Sequence, residues 1–253
     1  MGTYVITGGA SGIGKAIAEQ LQKEGHQTLS VDIQEADIVA DLASAEGRES
    51  AARAIREATS NGIDGLVTSA GIGSHVPNNR LITSVNYFGS VELIDLLRDH
   101  LAAHNAGVLL VSSNSAPMQT NPEFVASLLE GDAERAYAEA ETMQGQPVYS
   151  GTKQAVAIWM RRNAAAFAAD GIRMNAIGPG YTQTALTAAV EGDATYGEAI
   201  KQFIASIPVG RPGQAQDMAD AACFLLSDRA SFICGSMLFV DGGHDAMMRP
   251  DSF

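Results

Sequence analysis

In the stretch GQPVYSGTKQAV, residues 145–156, a tyrosine and a lysine stand four positions apart, Tyr149 and Lys153. On a helix that spacing puts both side chains on one face. A free phenol has a pKa of about 10 and is a poor base at neutral pH. A neighbouring ammonium group in a protected cleft favours the phenolate. Such a tyrosine can take a proton from an alcohol as hydride leaves the adjoining carbon, or return one to a carbonyl oxygen. The reacting oxygen also needs a hydrogen bond to orient it. Ser113, or its neighbour Ser112, ends the apolar run VLLVSS, where a strand would deliver a hydroxyl. Asn86, in SVNYFGSVELI, can hold a neighbouring helix open or organise a water chain reaching Lys153. Each residue alone has an ordinary structural use: an interfacial tyrosine, a solvated lysine, a serine bonded to backbone, an asparagine cap.

Hydride chemistry needs an acceptor, and the amino-terminal stretch offers a place for one. TGGASGIGKAI places Gly8, Gly12 and Gly14 between a strand-like run, TYVIT, and an apolar helix. Small residues let the backbone approach a pyrophosphate, whose charge the helix N-terminus stabilises. The spacing is G-x-x-x-G-x-G, unlike the usual dinucleotide G-x-G-x-x-G or a phosphate loop ending in Lys-Ser/Thr. Asp32 ends the next apolar run, SVD, where a carboxylate can accept both ribose hydroxyls of an adenosine and repel a 2'-phosphate. That favours NAD over NADP. Asp41 and Leu42 can present a polar group and an aliphatic wall to adenine, and Ala70 and Gly71 of the SAG run leave room beyond a strand end.

The elements that would position these residues alternate. Strand candidates TYVIT, TLSVD, DGLVTSA and GVLLVSS are separated by helical segments near 13–24, 46–60 and 81–104. After them come an apolar helix near 150–169, the strand-like GIRMNAIGPG, a helix near 214–227 and the run SMLFVDGG. This pattern predicts an α/β fold, a mostly parallel, doubly wound sheet covered on both faces. At 253 residues one domain is expected. Residues 117–147 form an excursion whose alanine and glutamate content favours short amphipathic helices. Residues 181–212 form a loop-rich substrate region, where Tyr181, Leu186, Val190, Phe203, Ile204 and Ile207 can form apolar walls, with Pro117 and Met118 closing another side.

The formal charge is −13, from 16 Lys+Arg against 29 Asp+Glu, a field that repels nucleic acid and anionic membranes. Cys223 and Cys234 form no CxxC, and the five histidines show no metal-ligand spacing. No signal-like leader or membrane-spanning run is present, so a cytoplasmic location is expected.

Taken together, TGGASGIG, Asp32, SAG, Asn86, Ser113, Tyr149-Ser-Gly-Thr-Lys153, Asn175, IGPGYTQT and VDGG resemble the classical short-chain dehydrogenase/reductase family over nearly the whole chain. The resemblance implies a Rossmann fold binding NAD, Tyr149 as acid/base, and Lys153 lowering its pKa while binding the nicotinamide ribose. It favours Ser113 over Ser112 for the reacting oxygen and gives Asn86 a part in the proton relay. It implies that Ser11, Ile13, Pro179, Gly180 and Thr182 join the cofactor site and that Thr184 meets the nicotinamide carboxamide. Ser69 departs from the family pattern, which often carries Asn there. VADLASAEGRE, DGLVTSAGIG, GDATYGEAIKQF and VDGGHDAMMRPDSF resemble a narrower bacterial group within the family, the 3α-hydroxysteroid dehydrogenases/carbonyl reductases. That implies a small apolar alcohol or ketone as substrate, a steroid among the expectations, and a homodimer, with a tetramer as the alternative. A nonsteroidal cyclic or aromatic alcohol dehydrogenase and a non-catalytic NAD-sensing protein are the competing readings.

Overall fold

The computed structural model describes residues 1–59, 61–184 and 197–252, with side chains from 201 onward in the last stretch. Six parallel pairings join seven strands in the order β3-β2-β1-β4-β5-β6-β9. The strands are β1 (Thr3–Thr7), β2 (Gln27–Asp32), β3 (Ile38–Val39), β4 (Gly65–Thr68), β5 (Gly107–Val111), β6 (Arg173–Pro179) and β9 (Met237–Val240). A two-stranded pair, β7 (Thr182–Gln183) with β8 (Gly213–Gln214), lies apart from them.

Side chains alternate across a strand, so each central strand feeds two cores. Val5, Leu66, Val108 and Leu110 enter one core, and Ile6, Val67, Leu109 and Val111 enter the other. This is why the strands are continuously apolar. The first core is covered by α2 (Ala45–Ala58), α4 (Gly89–Leu96) and α8 (Gly145–Ala169). The second is covered by α1 (Gly12–Lys23) and α10 (Ala215–Leu226). The α/β expectation holds, with every strand of the large sheet parallel to its neighbours.

Two helix boundaries differ from the sequence reading. The segment near 81–104 is not continuous. It divides into α3 (Asn79–Thr83), a π-helical turn at Ser84–Phe88, α4, and α5 (Arg98–Ala102). The long helix α8 starts at Gly145, five residues earlier than expected, because Pro147 lies in its first turn, where a missing N–H breaks no intrahelical bond.

The excursion holds α6 (Pro122–Glu130) and α7 (Ala133–Glu141), capped by the Asn121 and Asp132 side chains. Phe124, Leu128 and Tyr137 are buried in the first core, and the Ser84 hydroxyl donates to Tyr137 Oη at 2.9 Å. Gly151 admits Phe124 against α8, since a Cβ there would lie 2.8 Å from the ring. The excursion thus contributes to the core through the short amphipathic helices that its composition favours. Among the described residues no helix is long and apolar enough to cross a membrane.

Candidate active site

The order of the strands reverses between β1 and β4, which leaves a crevice beyond their carboxyl ends. A cavity of about 740 Å³ occupies that edge. Gly8 after β1, Asp32 ending β2, Ser69 to Gly71 after β4, Ser113 after β5 and Pro179 ending β6 all line it. Every residue that the sequence assigned to the cofactor is in this lining: Gly8, Ser11, Gly12, Ile13, Gly14, Asp32, Asp41, Leu42, Ala70, Gly71, Tyr149, Lys153, Pro179, Gly180, Thr182 and Thr184.

At the glycine end, Ser11 caps α1 without a side-chain hydrogen bond to the first-turn amides. Ser11, Gly12, Ile13 and Gly14 line the cavity, and a helix N-terminus of this kind suits an anion. Gly14 brings α1 onto the turn, for a Cβ there would lie 2.2 Å from Gly8 O, and a Cβ at Gly12 would stand 3.6 Å from Thr184 Cγ2. Asp32 accepts the Ala10 N–H at 3.1 Å and the Ile33 N–H at 2.7 Å. A carboxylate has about four acceptor positions, so two remain for hydroxyl donors. Asp41 accepts the Ala43 N–H at 2.9 Å, while Leu42 is buried. The departure at Ser69 is covered by a residue that sequence reasoning did not single out. Thr7 Oγ1 accepts the N–H groups of Ser69 and Ala70 at 3.1 and 3.0 Å, holding this loop from the end of β1. The amide-lined turn, the strand-end carboxylate and the close glycines fit a dinucleotide.

At the other end, Tyr149 and Lys153 stand one turn apart on α8. Lys153 Nζ donates to Val111 O at 2.9 Å and lies 5.8 Å from the Tyr149 ring centroid. Burial pushes the lysine down to about 8. Burial also pushes the Tyr149 phenol above the ordinary tyrosine value, and a hydrogen bond with Ser113 pulls it part of the way back. The two serines separate cleanly in their bonding. Ser112 Oγ donates to Lys153 O at 2.8 Å and so ties β5 to α8. Ser113 Oγ accepts from the Ser115 N–H at 3.1 Å and the Ser115 hydroxyl at 3.0 Å.

Asn86 does not line the cavity. Fully buried in the π-helical turn, it accepts the Ile72 N–H at 2.9 Å and donates to Ile72 O at 3.0 Å. It backs Gly71: a Cβ at that glycine would lie 3.3 Å from Asn86 Oδ1 and 3.5 Å from Lys153 Nζ. Single π-helical turns within a helix are rare and are found frequently at functional sites. Asn175 lies elsewhere, stapling β6 to the chain at Ile233 and Ser236.

The apolar wall is only partly as expected. Met118, Tyr181 and Phe203 line the cavity, whereas Pro117, Ile204 and Ile207 do not, and Leu186 and Val190 lie outside the described residues. Ser74, His75, Asn114, Ser115 and Gln146 add polar lining that the sequence did not reveal. Hydropathy locates apolar walls but carries no signal for which loop polar groups turn inward. Among the described residues no three histidine, cysteine or acidic side chains converge as a metal site.

A family model described as enoyl-(acyl carrier protein) reductase matches residues 8–245. The 3-alpha-hydroxysteroid dehydrogenase/carbonyl reductase of Comamonas testosteroni is 39% identical over 259 residues, covering 100% of both chains. The cis-4-hydroxycyclohexanecarboxylate dehydrogenase of Sinomonas cyclohexanicum is 34% identical, covering 96% of each. Among solved structures, the 3-alpha-hydroxysteroid dehydrogenase of Pseudomonas sp. B-0831 complexed with NADH is 40% identical, with a TM-score of 0.93 over 99% of this chain and 100% of that one. The chain belongs to the classical short-chain dehydrogenase/reductase family and is an NAD-dependent oxidoreductase of secondary alcohols and ketones.

Proposed function

We propose that this enzyme interconverts the 3α-hydroxyl and 3-ketone of a steroid, with Tyr149 carrying the proton. One observation carries the assignment of roles: Ser113, Tyr149 and Lys153 line the same cavity as Asp32 and the glycine turn. Bound NAD supplies the hydride acceptor, and everything else is work for this chain. Ser113 holds the substrate oxygen. Its own oxygen already accepts two hydrogen bonds, so its hydroxyl proton is the donor, paired with Tyr149 in the free chain and offered to the substrate oxygen when one binds. Tyr149 Oη gives a proton to a carbonyl oxygen in reduction and takes one from the alcohol in oxidation. The buried Lys153 lines the same cavity and keeps a positive charge behind it below pH about 8, where it would hold the nicotinamide ribose. Asn86 backs Gly71 and Lys153 and supports the proton path behind Tyr149.

The steroid assignment draws on the Comamonas and Pseudomonas relatives and on the apolar walls from Met118, Tyr181 and Phe203. A second reading, a smaller alicyclic alcohol, draws on the Sinomonas relative and on the polar lining at Ser74, His75 and Asn114. We also propose residues 117–147 as an insertion that directs assembly toward a homodimer, since α6 already covers part of the α8 face. Sedimentation equilibrium separates a dimer from a tetramer.

The deciding experiment is a kinetic screen of the purified enzyme with NAD and NADP against a 3α-hydroxysteroid, cyclohexanol and 4-hydroxycyclohexanecarboxylate. The steroid with NAD is expected to give the highest kcat/KM. Higher kcat/KM with the carboxylate selects the second reading, and failure of all three with bound NAD defeats both.

A further inference from the structure

The proton-transfer set uses nothing from the C-terminal helix, yet the first residue of that helix is buried. His244 opens α11 (His244–Met248) and is 6% exposed. Its imidazole touches two separate elements. Nδ1 lies 3.3 Å from Nδ2 of Asn114, the residue between Ser113 and Ser115. On another side the ring meets Phe203 edge to face, with centroids 4.8 Å apart. Phe203 belongs to α9 (Gly197–Ser206) and in turn meets the Tyr181 ring at 6.0 Å.

Asn114, Phe203 and Tyr181 line the cavity, and His244 stands behind them. The backbone supports the same arrangement. Val209, just past α9, donates its N–H to Gly242 O at 3.1 Å. Gly242 and Gly243 turn the chain with φ of 67° and 88°, conformations that favour glycine, and so deliver His244 inward. Asn114 is held by its own N–H, which donates to Pro179 O at 2.9 Å. Its side chain, by contrast, is held by His244. An amide and an imidazole nitrogen pair as one donor and one acceptor in either orientation of the amide.

We propose that His244 is a positioning residue of the substrate pocket. Through Asn114 it orients the wall beside Ser113, and through Phe203 it holds α9 against the bulky part of the substrate. The proposal rests on the reading that this cavity takes the alcohol or ketone. The two arms have different kinetic consequences: the Asn114 arm borders the reacting oxygen, and the Phe203 arm borders the skeleton that carries it.

Two variants of His244 separate the arms. His244→Phe keeps a ring against Phe203 and loses the pairing with Asn114. It is expected to lower kcat about fivefold for both cyclohexanol and a 3α-hydroxysteroid, as the loss of one hydrogen bond implies, with KM nearly unchanged. His244→Asn keeps a polar δ atom for Asn114 and loses the ring. Its expected effect is a rise in KM of about fivefold for the steroid, with kcat on cyclohexanol retained.

Approached from the other side, Asn114→Ala should reproduce the first pattern and Phe203→Leu the second. The double variant Asn114→Ala/His244→Phe should be no worse than Asn114→Ala alone, because both changes delete the same bond. If a His244 variant does not fold, the Asn114 and Phe203 variants decide by themselves. Wild-type kinetics in a folded variant of either arm, or parallel changes of kcat and KM across both substrates, overturns the proposal. Failure of the wild-type enzyme to turn over either alcohol with NAD would instead count against the reading of the cavity.

Discussion

Ser115 donates twice to the Ser113 oxygen, from its backbone N–H at 3.1 Å and from its hydroxyl at 3.0 Å. A serine whose oxygen is occupied in this way becomes a donor toward the cavity, which is the polarity a developing alkoxide or a carbonyl oxygen requires. Ser115→Ala removes one of the two bonds and leaves the backbone donor in place. The expected result is a kcat about fivefold lower, with KM and NAD affinity close to wild type. Steady-state kinetics and fluorescence titration with NADH check it, and an unchanged kcat would show that the backbone bond alone is enough to hold Ser113.

Tyr149→Phe keeps the ring and removes the proton. Turnover should fall by about 100-fold or more, the usual worth of a positioned acid or base, while NAD binding is retained. The phenol is pushed upward by burial, so in a tyrosinate difference spectrum of wild type against this variant the midpoint of Tyr149 ionisation should lie above the ordinary tyrosine value of 10.0 in the free enzyme. Phenolate absorbance at neutral pH would contradict that environment.

Lys153 titrates at about 8 in the folded chain against 10.5 ordinarily, because burial penalises its charged form. Between those values the unfolded chain holds a proton that the folded chain has released. Stability contributed at this site therefore rises with pH across the window and is constant below it. Lys153→Met lacks the titration. In urea unfolding at a series of pH values, wild type should gain on the variant from pH 8 to pH 10.5 and run parallel to it below pH 8. Parallel behaviour throughout would mean that the ammonium group is solvated in the folded chain. The variant should also lose turnover.

Asp32 accepts from Ala10 and Ile33 and carries the only formal charge among those three residues. Asp32→Asn keeps an acceptor oxygen while removing the repulsion of a 2'-phosphate. The ratio of kcat/KM for NAD to that for NADP is expected to fall about tenfold, chiefly through KM for NADP. A ratio at the wild-type value would locate cofactor discrimination elsewhere in the turn.

The order of elements was legible because burial on both faces of a parallel sheet demands continuously apolar strands, as in GLVT and GVLLV, separated by amphipathic helices. The residues at the strand ends were legible for the same reason: Asp32, Ala70, Gly71 and Ser113 follow apolar runs and so arrive together at one edge, where Pro179 joins them as the family resemblance implies. Tyr149 and Lys153 were legible as a pair because they are local to one helix. What required the tertiary structure was every relationship across distant positions. Ser112 and Ser113 are chemically identical in the chain, and only their contacts with Lys153 O and Ser115 tell them apart. Asn86 is brought behind Gly71 by a π-helical turn, whose extra residue has no periodic trace in the sequence. His244 meets Asn114 across 130 residues because the Gly242-Gly243 turn folds the C-terminus back onto the sheet edge. Hydropathy and spacing report what a residue is near along the chain, while packing decides what it is near in space.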